Sequence, residues 1–107
     1  MTVVPADTPT VLVTGAARRL GRAIALACAC AGWRVAVHAR VADEDAQKTV
    51  VDCARHTPGS ALFPADLADE MQVRALVPSV VADMGRLDAV VNNAALFTFD
   101  NAASFSP

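Results

Sequence analysis

The run Thr14-Gly15-Ala16-Ala17-Arg18-Arg19-Leu20-Gly21 stands between an apolar, β-branched stretch and an alanine-rich one. A strand, a turn of small residues and the start of a helix together form a device for holding phosphate. The first N–H groups of a helix have no partner within it, and they carry the positive end of its dipole. The pyrophosphate of a dinucleotide is the usual occupant of such a cradle. Gly15 permits the tight turn, Gly21 lets helix and strand approach closely, and the Arg19 guanidinium offers fork-shaped donors to a phosphate or to a nearby substrate. His38 and Arg40 end the next apolar run. A dinucleotide fold places the adenosine ribose there, where an acid accepts from the 2′-hydroxyl of NAD and an arginine accommodates the 2′-phosphate of NADP. No carboxylate follows that run before Asp43, and Arg18, His38 and Arg40 are three candidate cations. NADP(H) is therefore the expected cofactor. A strand-capping histidine and a solvated arginine are the plainer account of the same residues.

These residues need a scaffold, and the hydrophobic spacing supplies one. Thr10 to Thr14 is a short apolar run ending in glycine, as a buried parallel strand does. Leu20, Ile24, Ala27, Cys28 and Ala31 recur at helical spacing, and Gly32 closes the helix. Trp33 to His38 reads as a second strand, and Asp43 opens a second helix to about His56 with acids in its first turn. Ala61 to Pro64 is a third strand. Val73, Leu76, Val77, Val80, Val81 and Met84 mark a third helix, in which Pro78 predicts a kink or local rearrangement before Gly85 ends it. Leu87 to Asn92 is a fourth strand. The alternation β-α-β-α-β-α-β implies an α/β fold, a doubly wound parallel sheet of Rossmann-like type with strand order 3-2-1-4, in one domain over residues 1–107.

The turn reads T-G-x-x-x-R-x-G and so resembles the T-G-x-x-x-G-x-G of the short-chain dehydrogenase/reductase family, in the variant of its pteridine reductase branch. Asn92-Asn93-Ala94-Ala95 is similar to the family's N-N-A-G segment, with Ala95 in place of the glycine. The resemblance covers essentially residues 10 to 100. It implies NADP(H) held by Gly15, Arg18, Arg19, Leu20 and Gly21 at the phosphates, and by His38 and Arg40 at the ribose. Asp66 and Leu67 would hold the adenine, and Asn93, Ala94 and Ala95 would border the nicotinamide end. Phe97, two residues past Ala95, would stack on a flat heterocyclic substrate, with Arg19 beside it. Each has a plainer alternative: Asp66 or Asp69 as the N-cap of the third helix, Asn93 as a turn former, Phe97 as a packing aromatic. The implied reaction is hydride transfer from NADPH to a pteridine or carbonyl compound.

The family's proton transfer needs a tyrosine and a lysine four residues apart on one helix. This sequence has no tyrosine, and its one lysine, Lys48, falls on the second helix. No catalytic residue is therefore assigned. The sequence reads as the N-terminal cofactor-holding part of a reductase, incomplete relative to the family, with its fourth strand expected as an exposed apolar edge. The alternative is a non-catalytic remnant that binds a nucleotide or a protein partner. A methyltransferase is disfavoured because His38 and Arg40 stand where that fold carries an acid.

Composition limits the remaining classes. A net charge of −2 gives no electrostatic footprint for nucleic acid or an anionic membrane surface. No apolar run is long enough to span a bilayer, and the N-terminus lacks the pattern of a secretory signal. Cys28 and Cys30 point to different faces of one helix, which is poor geometry for a metal, so packing thiols in a cytoplasmic protein are expected. The expected partner is a small-molecule substrate. No residue here supports a statement about oligomers.

Overall fold

A computed structural model describes residues 7–94. The expectations for Ala95 and Phe97 lie outside those residues. The elements are β1 (Thr10–Val13), α1 (Arg19–Cys30), β2 (Arg34–Ala39), α2 (Glu44–His56), β3 (Ala61–Pro64), α3 (Glu70–Met84) and β4 (Ala89–Val91). All strands are parallel, in the order β3-β2-β1-β4. This is the expected doubly wound arrangement. Every strand ends at the same edge of the sheet, so the turn after β1 lies beside the ends of β2 and β4.

The pleat of β1 sorts the core into two layers. Val11 and Val13 pack with Val35, Val37, Ala25, Ala29 and Cys53 on one face, under α1 and α2. Leu12 packs with Ala36, Phe63, Leu76, Val80 and Met84 on the other, under α3. Both faces of β1 and β2 are thus covered, which explains their unbroken apolar runs.

Two helices differ from their sequence reading in instructive ways. The buried positions of α1 are Gly21, Ala25 and Ala29, whereas Leu20 is 53% exposed. The stripe expected from Leu20 and Ala27 is rotated by one residue, because the smallest side chains, not the largest, face the sheet. A Cβ built on Gly21 would lie 1.9 Å from the carbonyl oxygen of Gly15, so no other residue fits there without moving backbone. In α3 the apolar stripe divides: Leu76, Val80 and Met84 are buried, while Val73, Val77 and Val81 are each more than two-fifths exposed. That helix runs unbroken through Pro78, and the Ser79 hydroxyl donates to the Ala75 carbonyl across 2.7 Å in the same turn.

Caps set the helix starts. Asp43 Oδ1 accepts from the Ala46 N–H at 2.9 Å and Asp69 Oδ1 from the Met71 N–H at 2.9 Å. Gly85, at φ 86°, closes α3 in the left-handed region that glycine enters freely. β4 is an edge strand of the described sheet, and Val90 on it is 51% exposed.

Candidate functional site

The turn between β1 and α1 is tied down from three sides. The Gly15 N–H donates to His38 Nδ1 at 3.0 Å, and the Ala16 N–H donates to the His38 carbonyl at 2.8 Å. From the β4 side, Asn93 Nδ2 donates to the Gly15 carbonyl at 3.3 Å, and the Ala94 N–H donates to Thr14 Oγ1 at 3.0 Å. From α2, the Thr49 hydroxyl is 3.3 Å from the Ala17 carbonyl. Gly15 itself has φ 64°, so the turn uses the freedom that glycine has there. What the turn leaves unsatisfied is the N-terminus of α1. Arg18 at its N-cap position makes no side-chain cap, and no acidic residue occupies its first turn. The other two described helices carry both devices. An uncapped, glycine-floored helix start fits a diphosphate.

Beside this turn a cleft of about 330 Å³ is lined by Gly15, Ala17, Arg18, Arg19, Ala39, Arg40, Val41 and Asp43. Four of the expected residues, Gly15, Arg18, Arg19 and Arg40, therefore meet in one place. Arg19 has φ 54°, the one non-glycine residue with positive φ among the described residues. It occupies the position of the middle glycine in T-G-x-x-x-G-x-G, and the backbone keeps the conformation that a glycine would suit. Arg18 donates from Nη2 to Asp43 Oδ2 at 3.0 Å, and its Nε forms an ion pair with Asp45 Oδ2 at 2.8 Å. The Ala46 N–H, and after it the Arg18 guanidinium, hold the Asp43 carboxyl below its usual range. In sequence Asp43 reads as a helix start and as the first carboxylate after β2, not as a partner of Arg18. Its place after the arginine-bearing end of β2 was the available signal.

His38 departs from expectation. It is 3% exposed, with Nδ1 engaged by Gly15 and Nε2 2.9 Å from the Ala65 carbonyl. Both nitrogens are satisfied by backbone, so the ring braces the turn from beneath and has no free donor for a ribose phosphate. Burial lowers its pKa, partly offset by the bond to Ala65. The cation set at the cleft is thus the three arginines.

Asp66 and Leu67 stand at the end of β3, outside the cleft lining. Asp66 Oδ1 accepts from the Ala68 N–H at 2.9 Å, while the cap of α3 is Asp69. Leu67 packs partly buried against the α3 side of the core. Asn93 is 1% exposed under the turn between β1 and α1, where it touches Gly15. Leu20 projects into solvent from the first turn of α1. The strand order therefore sets Asp66, Arg40, Gly15 to Arg19, and Asn93 in sequence along one sheet edge. Among the described residues no cluster of three metal-ligating side chains occurs, and no helix is long and apolar enough to cross a membrane.

Comparison with known proteins agrees with this arrangement. A family model described as short chain dehydrogenase matches residues 9–107. The chain is 40% identical over 94 residues to 3-oxoacyl-(acyl-carrier-protein) reductase FabG of Staphylococcus aureus, covering 88% of this chain and 38% of that protein. It is 36% identical over 96 residues to 1-cyclohexenylcarbonyl-CoA reductase of Streptomyces collinus, covering 90% and 34%. The crystal structure of a 3-oxoacyl-(acyl-carrier protein) reductase from Brucella melitensis superposes with a TM-score of 0.74 at 31% identity, over 83% of this chain and 35% of that one. The chain spans less than two-fifths of the length of each of these proteins.

Proposed function

The chain belongs to the short-chain dehydrogenase family, and from that premise we propose that residues 7–94 form the NADPH-holding part of a reductase acting on a carbonyl group of a small substrate. The observation that carries this reading is the uncapped start of α1 beside a β2 end that bears Arg40 and no acid. The α1 N-terminus holds the diphosphate, and Arg40 with Arg18 holds the 2′-phosphate. Asp66 and Leu67 border the adenine, and Asn93 and Ala94 set the turn against the nicotinamide end. Hydride is the chemistry that NADPH supplies when bound; these residues bind and orient it. The sequence contains no tyrosine, and no proton-transfer step is assigned to these residues.

A carbonyl substrate is supported by the relatives, two of which are named as 3-oxoacyl reductases. A pteridine is favoured, among the described residues, by Arg19, which lines the cleft in a backbone conformation that suits glycine. A cytoplasmic location suits the three free thiols of Cys28, Cys30 and Cys53.

The test is a titration of the protein with NADPH and NADH. Arg40→Ala should weaken NADPH roughly 10- to 100-fold, the range of a charge-assisted contact to phosphate, and leave NADH unchanged. Equal loss for both cofactors would overturn the assignment.

A further inference from the structure

Among the described residues, Arg18 is the cleft arginine held by ion pairs. Its Nη2 and Nε, the two donors that form one edge of the guanidinium fork, are taken by Asp43 and Asp45 at 3.0 and 2.8 Å. That edge is the one suited to gripping a phosphate in two-point fashion. Neither carboxylate is incidental. Asp43 spends its other oxygen on the Ala46 N–H at 2.9 Å, which anchors it to the start of α2, and Asp45 sits in the first turn of the same helix. The helix dipole stabilises both anions there. The two acids thus reach Arg18 from the start of α2, and Asp43 itself lines the cleft.

The charges in this small volume matter for a 2′-phosphate, which brings about two negative charges. Arg18 is paired with Asp43 and Asp45, and it lines the cleft together with Arg19, Arg40 and Asp43. A 2′-phosphate that binds Arg18 through its fork must displace two carboxylates first. A nucleotide without that phosphate offers nothing in exchange, and the ion pairs stay.

Building on the NADP(H) reading, we propose that Asp43 and Asp45 are specificity-determining residues. They act as an internal anion that holds Arg18 in the ligand-free protein and gives it up to a 2′-phosphate, so that the pair limits the preference for the phosphorylated cofactor. The released carboxylates pass to water, since the Asp45 side chain is 57% exposed and Asp43 keeps its cap. No bond is made or broken beyond these hydrogen bonds.

The experiment compares binding of adenosine 2′,5′-bisphosphate and adenosine 5′-monophosphate by calorimetry. The proteins are the wild type, Asp45→Asn, and Asp43→Asn combined with Asp45→Asn. Asparagine at 43 still caps α2, and Asp45→Asn alone leaves the cap untouched, so the fold is retained. The double variant should bind the bisphosphate about three- to tenfold more tightly, the sum expected of two exposed pairs, with the monophosphate unchanged. In an Arg18→Ala background that gain should shrink. Unchanged or weaker bisphosphate binding overturns the proposal, the weaker result meaning that the acids position Arg18. A full gain without Arg18 also overturns it, leaving plain repulsion. If wild type and double variant alike bind both nucleotides equally, the NADP(H) reading falls and this proposal with it. If the wild type prefers the bisphosphate and the double variant adds nothing, only this proposal falls.

Discussion

The N–H of Gly15 donates to Nδ1 of His38 at 3.0 Å, and Nε2 of the same ring lies 2.9 Å from the carbonyl of Ala65. One neutral tautomer satisfies both contacts: Nδ1 accepts, and Nε2 carries the proton and donates. A single buried ring therefore joins the phosphate turn after β1 to the end of β3.

This bracing makes stability depend on pH in a defined direction. The His38 pKa is lowered from 6.5 by burial, so the unfolded chain takes up its proton first as pH falls. The contribution is fully present above 6.5 and is lost progressively below it, until the pH passes the folded-state value. His38→Asn should cost about 1–3 kcal/mol at neutral pH by leaving the Ala65 carbonyl unpaired, and should flatten the acid limb of the stability curve. Urea melts across that range decide it, since every other titrating group cancels in the comparison. A parallel limb in the variant would show that His38 does not titrate with folding.

Arg19 should be replaceable by glycine with a gain. A left-handed conformation costs an L-residue roughly 1–2 kcal/mol, and the greater freedom of glycine when unfolded returns about 0.5–1 of it. Arg19→Gly should then be neutral or stabilise by up to about 1 kcal/mol in a urea melt, at the expense of any ligand contact. A clear destabilisation would reveal a compensating interaction of the arginine.

Gly21→Ala should be among the most damaging small substitutions. Its Cβ would lie 1.9 Å from the Gly15 carbonyl oxygen and 2.7 Å from Asn93 Nδ2. Helix and turn must separate, at about 3 kcal/mol. Retention of wild-type stability in a denaturant melt would mean that α1 sits less tightly than described.

The cysteines should label in a fixed order. Cys30 is exposed, Cys28 is partly buried, and Cys53 is buried with its thiol pushed up to about 11 by desolvation. Burial raises the Cys28 pKa as well. A thiol reagent at neutral pH should modify Cys30 first and reach Cys53 only after unfolding. Early loss of the Cys53 thiol, followed by peptide mass spectrometry, would contradict the packing of α2 on the sheet.

Much of this architecture can be read from the chain, because strand and helix spacing is a local property. The Val-rich runs at β1 and β2 and the glycines at 15, 21 and 85 carry the element order, and short connections carry the strand order. The meeting of Gly15, Arg18, Arg19 and Arg40 follows from that order. What local spacing does not carry is rotation and partnership. The buried face of α1 differs from the apolar stripe in sequence because helix-to-sheet distance, not side-chain size, selects Gly21, Ala25 and Ala29. His38 looks like a strand-end cation in sequence, and only the packing of β3 against β2 gives it the Ala65 carbonyl. The Arg18 ion pairs with Asp43 and Asp45 join residues on either side of β2, so nothing in either segment alone announces them.

The bonds from Asn93 to Gly15 and from Ala94 to Thr14 close loops of 78 and 80 residues. Closing loops of that size costs entropy, and contacts of such sequence separation slow folding. The turn after β1 is written early in the chain and is braced by His38 and Thr49, but its bonds to Asn93 and Ala94 need β4 docked on β1. A growing chain that has not yet emitted residue 94 holds that turn from β2 and α2 only. A ligand held by the turn would then favour the docked β4, since that strand completes the turn's supports.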